Sequence, residues 1–340
     1  MFLAFHQRRV AHVHLPKIIE LVYSFDNDIA YETRSPGGND IANQHHLLVV
    51  AAIPPELRQH LARTYTLHDH VFQAGERLAG FQVAVTTAMA GADAALFDAL
   101  PDLRLVLSNG AGADRLDAVA AKARGIELVP TPDAVTEDTA DFAIGLLYAL
   151  SRRIAEADRF VRSGRWANER MSPSRRVSSR RLGILGLGRI GFEVARRAMA
   201  LGLSVAYCGP RRKPVDLAYY PDPVELARAV DTLVLTCPAT MATLRIIDTR
   251  VLNALGPDGQ LINIARGSVV DEPALIAALE GGAIAGAALD VFDGEPTPDP
   301  RLFALENVVL TPHVAAVTAE TRMAMATQLR EAADRFFASV

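Results

Sequence analysis

Cysteine is scarce in this sequence: Cys208 and Cys237 are the only two among 340 residues. Two thiols exclude a disulfide framework and suit a reducing compartment. Long apolar runs are missing as well, and none reaches the length of a membrane span. Nor is there a surplus of positive charge. Lys and Arg number 35 against 39 Asp and Glu, a formal net charge of −4, which leaves no broad basic surface for nucleic acid. No repeat of solenoid period and no low-complexity tract interrupts the chain. What remains is half hydrophobic and 22% charged, the composition of a globular protein rather than a disordered one. The length suits two domains, each able to bury its own core. The expectation is a soluble, cytoplasmic protein with no membrane or nucleic-acid partner.

The first 44 residues stand apart. MFLAFHQRRVAHVHLPK is rich in Arg and His but lacks the continuous apolar core of a secretory signal. The polar stretch SPGGNDIANQ follows, with Gly and Pro, before the first strand-like run. Residues 1–44 are therefore expected to be a poorly ordered extension without an assigned function.

From LLVVAA (47–52) onward, short apolar runs alternate with amphipathic or Ala-rich segments. FQVAVTT (81–87), LRLVLSNG (103–110) and IELVPT (126–131) read as strands, with PPELRQHLART and ADAALFDAL as helices between them. Such alternation means βαβ units and a parallel sheet. Residues 136–166 open with a capping-type Thr and acids and read as a long helix bridging two domains. A second series follows: RLGILG (181–186), LSVAYC (203–208), TLVLTC (232–237), QLINIA (260–265), AAL (287–289) and NVVLTP (307–312). Six strands with helices between them make a doubly wound dinucleotide-binding domain, so the fold class is α/β with two doubly wound parallel-sheet domains. The final segment, ETRMAMATQLREAADRFFAS, reads as a helix.

GLGRIG (186–191) matches G-x-G-x-x-G, a weak signal alone. Here it follows the apolar strand LGIL and opens an amphipathic helix, the context that gives it meaning. Gly186 permits the tight turn, Gly188 lets backbone amides approach a pyrophosphate, and Gly191 lets helix and strand pack closely. Leu187, Arg189 and Ile190 complete the turn. The ribose-reading position falls about twenty residues on, at the end of the second strand, and is Cys208. A thiol does not hold a ribose diol as a carboxylate does, nor does it repel a phosphate. Arg211 and Arg212 follow, with Lys213 behind them, and a guanidinium fork matches a 2′-phosphate. NADP is the expected cofactor, with NAD possible; the alternative is a merely solvated basic turn.

Beyond His70 the chain holds one histidine, His313, at the carboxyl end of the last strand. Arg266 ends another strand and Glu295 lies in the loop after a third. In doubly wound sheets, ligands gather outside those ends. Reduction of a 2-keto acid needs a cation to clamp the carboxylate and polarise the carbonyl, which suits Arg. It also needs a proton delivered as hydride arrives, a task for His, and a carboxylate beside a histidine favours the imidazolium and orients the ring. Taken without further context, Glu295 is an ordinary loop glutamate, and Arg266 and His313 could serve as surface and loop residues. The pairs HVH (12–14), HH (45–46) and HDH (68–70) fall in the extension or a surface-like loop without cysteine partners, so no metal site is expected.

At these residues the chain resembles the D-isomer-specific 2-hydroxyacid dehydrogenases, glyoxylate/hydroxypyruvate reductases among them. The resemblance runs from about residue 47 to the C-terminus and is carried by NGAGADRLD, TADFAIGLLYALSRR, RSGRW, LGILGLGRIGFEVA, INIARGSVVDEPALIAAL, GAALDVFDGEP and NVVLTPHVAA. It implies that Arg266 binds the substrate carboxylate, His313 is the acid/base and Glu295 pairs with it. It places Leu187, Gly188, Arg189 and Ile190 along the pyrophosphate, Asp290 at the nicotinamide end, and Cys237, Pro238 and Ile264 beside the cofactor. The loop 86–91, with Met89, Ala90 and Gly91, is expected to lend backbone amides to the substrate carboxylate. The resemblance also implies a flavodoxin-like substrate domain in two pieces, 45–144 and 317–340, around a Rossmann domain at 145–316, and a homodimer. Two departures stand out: Ala316 where a Ser or Gly is common, and Ala111 where a Val is usual. The function implied is NADPH-dependent reduction of a small 2-keto acid. The rivals are a reductase for a larger one, such as 2-ketogluconate or an aromatic keto acid, and a cofactor-sensing protein without turnover.

Overall fold

The computed structural model describes residues 45–73 and 75–340; the extension expected over 1–44 lies outside the described residues. The first sheet comprises β1 (His46–Val49), β2 (Thr66–Asp69), β3 (Val83–Thr87), β4 (Leu105–Asn109) and β5 (Glu127–Val129). All pairings are parallel, in the order β2-β1-β3-β4-β5. Between the strands run α1 (Pro55–Ala62), α2 (Ala94–Ala99) and α3 (Ala118–Arg124). Asp93 and Asp117 cap α2 and α3 by accepting from Leu96 N and Ala120 N; such caps satisfy amides that a helix start leaves without partners. The stretch 68–70, expected as a surface-like loop, is a correction. His68 and Asp69 end β2, an edge strand on β1. An edge strand needs only one paired side, so TLHD forms one without an apolar face.

The bridging segment also differs from expectation. It breaks into α4 (Thr136–Ser151), α5 (Ile154–Arg162) and a 3-10 turn at Arg165–Ala167. At the break Arg153 takes the left-handed region, φ +54°, a conformation that costs a non-glycine residue roughly 1–2 kcal/mol. Its guanidinium is held in place by Glu156 and by Ser172 Oγ at 2.7 Å, which offsets that cost.

The second sheet is parallel and seven-stranded: β6 (Arg181–Leu185), β7 (Ser204–Cys208), β8 (Ala218–Tyr220), β9 (Thr232–Leu235), β10 (Gln260–Asn263), β11 (Gly286–Leu289) and β12 (Val308–Leu310). Six strands were expected, and the seventh, β8, is a three-residue edge strand on β7. The order β12-β11-β10-β9-β6-β7-β8 reverses direction between β6 and β9. Helices α6 (Arg189–Ala200), α7 (Pro223–Ala229), α8 (Thr249–Leu255) and α9 (Glu272–Glu280) alternate with the strands. Most of these strands are buried on both faces, which is why they read as unbroken apolar runs. The last helix, α10 (Ala319–Phe337), returns to the first sheet. Its buried Ala326, Leu329 and Ala333 join Leu47, Val49, Val83, Val85, Leu105 and Leu107 in one core. Among the described residues no helix is long and apolar enough to cross a membrane.

Candidate active site

The strand order reverses between β6 and β9, and doubly wound folds bind ligands outside the carboxyl edge at such a point. Gly186, directly after β6, has φ +99°, and a Cβ there would lie 2.7 Å from the backbone of Cys237. A Cβ on Gly191 would meet Gly186 O at 2.3 Å. Only glycine fits either place. Thr236 Oγ1 donates to Gly186 O at 2.6 Å and locks the turn. A Cβ on Gly188, by contrast, would meet nothing, and the first amides of α6, at Arg189, Ile190 and Gly191, donate to no group among the described residues. That arrangement fits a pyrophosphate at a helix N-terminus. Leu187 is buried in the core, so its contribution to the turn is backbone, and the exposed Arg189 pairs with Asp133 at 2.7 Å. Cys237, ending the run after β9, and Ile264, after β10, are both buried at this edge. Pro238 follows Cys237, with its carbonyl accepting from Thr243 Oγ1. Arg211 and Arg212 are exposed on the turn after β7. Burial pushes the Cys208 thiol up to about 11, with Asp222 adding to it, and burial does the same to Cys237. Both therefore stay neutral near pH 7.

Arg266 sits three residues past β10 on a loop shaped by Asn263. That buried amide accepts from Ala265 N and donates to Arg266 O, each at 3.0 Å. The next residue, Gly267, explains how this loop meets the one after β11: a Cβ there would lie 1.9 Å from the backbone of Phe292. The guanidinium reaches across to the first sheet's side. Its Nε and Nη2 donate to Asp114 Oδ1 at 3.2 and 3.1 Å, and Nη1 donates to Ala265 O at 2.7 Å. A guanidinium has five N–H groups, and these contacts use three, which leaves one N–H on Nη1 and one on Nη2 for a further acceptor such as a carboxylate.

Glu295 and His313 meet in the same place. His313 Nδ1 lies 2.8 Å from Glu295 Oε2, and Glu295 Oε1 accepts from Phe292 N at 2.9 Å. Burial raises the Glu295 carboxyl, but the bonds from His313 and Phe292, with the nearby charge of Arg266, outweigh it and leave the group below the usual carboxylate range. A carboxylate only accepts, so the histidine proton toward it sits on Nδ1 and leaves Nε2 as the working nitrogen. His313 itself has φ +54°, unusual for a non-glycine residue and a mark of functional sites. Asp290 holds it there. Its carboxylate accepts from Thr311 Oγ1, Val314 N and Ala315 N at 2.6–2.9 Å, and its carbonyl accepts from His313 N at 2.8 Å. Asp290 thus ties down the histidine loop, a task that its position before VFDGEP did not announce.

On the opposite side, the loop after β3 is tied up more than expected. Ala90 N and Gly91 N both donate to Thr87, at 3.1 and 2.8 Å, and Met89 O accepts from Arg115 at 2.7 Å. Of the three amides expected to serve a carboxylate, that of Met89 alone donates to no group among the described residues. Three residues that shape the site, Asp114, Asn263 and Thr311, escaped the sequence reading. Asn263 had a signal, a lone polar side chain at the end of an apolar strand.

The family model of the D-isomer specific 2-hydroxyacid dehydrogenases, NAD binding domain, matches residues 144–315. The chain is 43% identical over 287 residues to a hydroxyphenylpyruvate reductase of Plectranthus scutellarioides, covering 82% of this chain and 92% of that protein. It is 46% identical over 272 residues to a glyoxylate/hydroxypyruvate reductase A of Arabidopsis thaliana, covering 80% and 87%. Among solved structures, an NADPH-dependent glyoxylate/hydroxypyruvate reductase from Sinorhizobium meliloti, in complex with NADP and malonate, superposes with a TM-score of 0.80. That pair shares 38% identity over 87% of this chain and 94% of the other.

Proposed function

This chain belongs to the D-isomer-specific 2-hydroxyacid dehydrogenases, and on that premise we propose that it reduces a small 2-keto acid to the D-2-hydroxy acid with NADPH. Glyoxylate and hydroxypyruvate are the substrates favoured. The observation that carries the reading is the His313–Glu295 pair, 2.8 Å apart, beside Arg266 at the carboxyl edge of the second sheet. NADPH, when bound, supplies the hydride.

The free end of Arg266 clamps the substrate carboxylate and polarises the keto group, while Asp114 and Ala265 O keep the guanidinium from turning away. His313 gives the proton on Nε2 to the carbonyl oxygen as it becomes a hydroxyl. Glu295 accepts from Nδ1 throughout, fixing the ring and balancing the imidazolium charge. Gly186, Gly188 and the first amides of α6 hold the pyrophosphate, and Arg211 with Arg212 select the 2′-phosphate. A larger keto acid is the second reading, favoured by the hydroxyphenylpyruvate reductase similarity and by the small Ala111 in the loop before Gly112. We propose further a cytoplasmic homodimer joined through the cofactor-binding lobes. Exposed Ile154, Val161 and Trp166 on and after α5 support that contact.

The test is oxidation of NADPH and NADH, followed side by side, with glyoxylate, hydroxypyruvate and hydroxyphenylpyruvate. Faster turnover with NADPH and a small keto acid is expected. In His313→Ala, turnover should fall roughly 100-fold or more, the usual worth of a placed acid/base, with the NADP+ dissociation constant nearly unchanged. A large loss of cofactor binding would take His313 out of the proton-donor role.

A further inference from the structure

Arg211, Arg212 and Lys213 are exposed, and none forms an ion pair with another described residue. Long cationic side chains on a loose loop make poor readers of a phosphate, because backbone and side chains must both be ordered on binding. The backbone here is not loose. The hydroxyl of Tyr207 accepts the N–H of Lys213 at 2.6 Å, and the hydroxyl of Tyr219 donates to the carbonyl of Gly209 at 3.1 Å. These two bonds grip the turn on either side of the arginines. The rings lean together at 5.2 Å, and Tyr207 is only 1% exposed, rooted in the core under α6. Beyond the turn, Val215 N donates to Lys213 O at 2.9 Å, and Val215 and Leu217 pack on that same core. A phenylalanine would fill the Tyr207 site equally well; what the hydroxyl adds is a fixed point for the turn.

We propose that Tyr207 and Tyr219 are positioning residues for cofactor selection, two struts that preorganise the turn so that Arg211 and Arg212 are presented to the 2′-phosphate of NADP. The inference rests on the NADPH reading and adds to it the parts that make the arginines selective.

Tyr207→Phe and Tyr219→Phe, singly and together, test it in the full chain. Dissociation constants for NADP+ and NAD+ are measured by calorimetry, beside kcat/KM for NADPH and NADH and the melting temperature. Each loss of a hydroxyl should weaken NADP+ about two- to tenfold, the range of one net hydrogen bond, and leave NAD+ unchanged. In an Arg211→Ser, Arg212→Ser background the tyrosine changes should no longer matter for NADP+. Equal weakening of both dinucleotides, or weakening of neither, overturns the proposal and leaves the tyrosines as ordinary supports of the fold. If the unaltered protein binds NAD+ as tightly as NADP+, the phosphate reading itself fails and takes the struts with it. The unaltered protein alone distinguishes that case from a failure of the tyrosines.

Discussion

At Gly112 a methyl group would land 1.9 Å from Arg266 Nη2 and 2.8 Å from Asp114 Oδ1, so this glycine sets how closely the guanidinium may approach the first lobe. Its backbone is not in the left-handed region, and alanine strains nothing there except the ion pair. Gly112→Ala should therefore fold normally but displace Arg266, the proposed substrate clamp. Losing a charged hydrogen bond costs about 1.5–3 kcal/mol, which is roughly ten- to a hundredfold in kcat/KM for the keto acid. The NADP+ dissociation constant should not change, and a parallel loss of cofactor binding would show that the glycine serves the lobe junction instead. At this scale, Arg266 and His313 drew notice as chemistry-bearing side chains just past the ends of apolar strands, whereas Glu295, six residues beyond β11, was marked only by the family resemblance. Asp114 was not. Its partner lies 152 positions away, and no local pattern marks a contact between lobes.

Among the elements, α10 shows what a helix start can hold together. Thr318 caps it by accepting from Thr321 N at 3.0 Å. The hydroxyls of Thr318 and Thr321 both donate to Asp138 in the first turn of α4, which joins the two helices where the chain passes between the sheets. Thr318→Ala removes a cap and a hydrogen bond, together about 1–2 kcal/mol. By the usual 2–4 °C per kcal/mol for a chain of this order, melting should fall roughly 2–8 °C in a calorimetric scan. Thr318→Ser should recover most of it, and a scan that leaves Thr318→Ala unshifted would mean that water replaces both bonds at no cost. The long buried strands and the capped helices were legible as apolar runs bounded by Asp, Gly and Pro. β2 and β8 were not, because an edge strand of three or four residues needs no apolar alternation. The break at Arg153 was equally hidden, since no glycine or proline stands there and its left-handed turn is held by side chains further along.

On the scale of the molecule, Arg266, Glu295 and His313, the residues proposed to react, hang from one sheet, and Asp114, on the side of the other, braces Arg266. The same body presents the chain's single tryptophan. Trp166 is 60% exposed, on the turn that follows α5 with its exposed Ile154 and Val161, where a second copy is proposed to dock. Its emission should shift to the red as the protein is diluted and the sedimentation coefficient falls from dimer to monomer. Val161→Asp should show the dilute spectrum at every concentration. A monomer in the centrifuge at high concentration, with an unvarying spectrum, would remove the dimer from this account. The return of α10 to the first sheet has a further consequence, for how the chain is made. A ribosome releases β1 to β5 before the second sheet, yet Ala326, Leu329 and Ala333, which close the apolar face of Leu47, Val49, Val83 and Val85, leave the exit tunnel after it. The first sheet therefore waits for its helix while the whole second sheet is made, and through that interval its uncovered face is the surface a chaperone would need to shield.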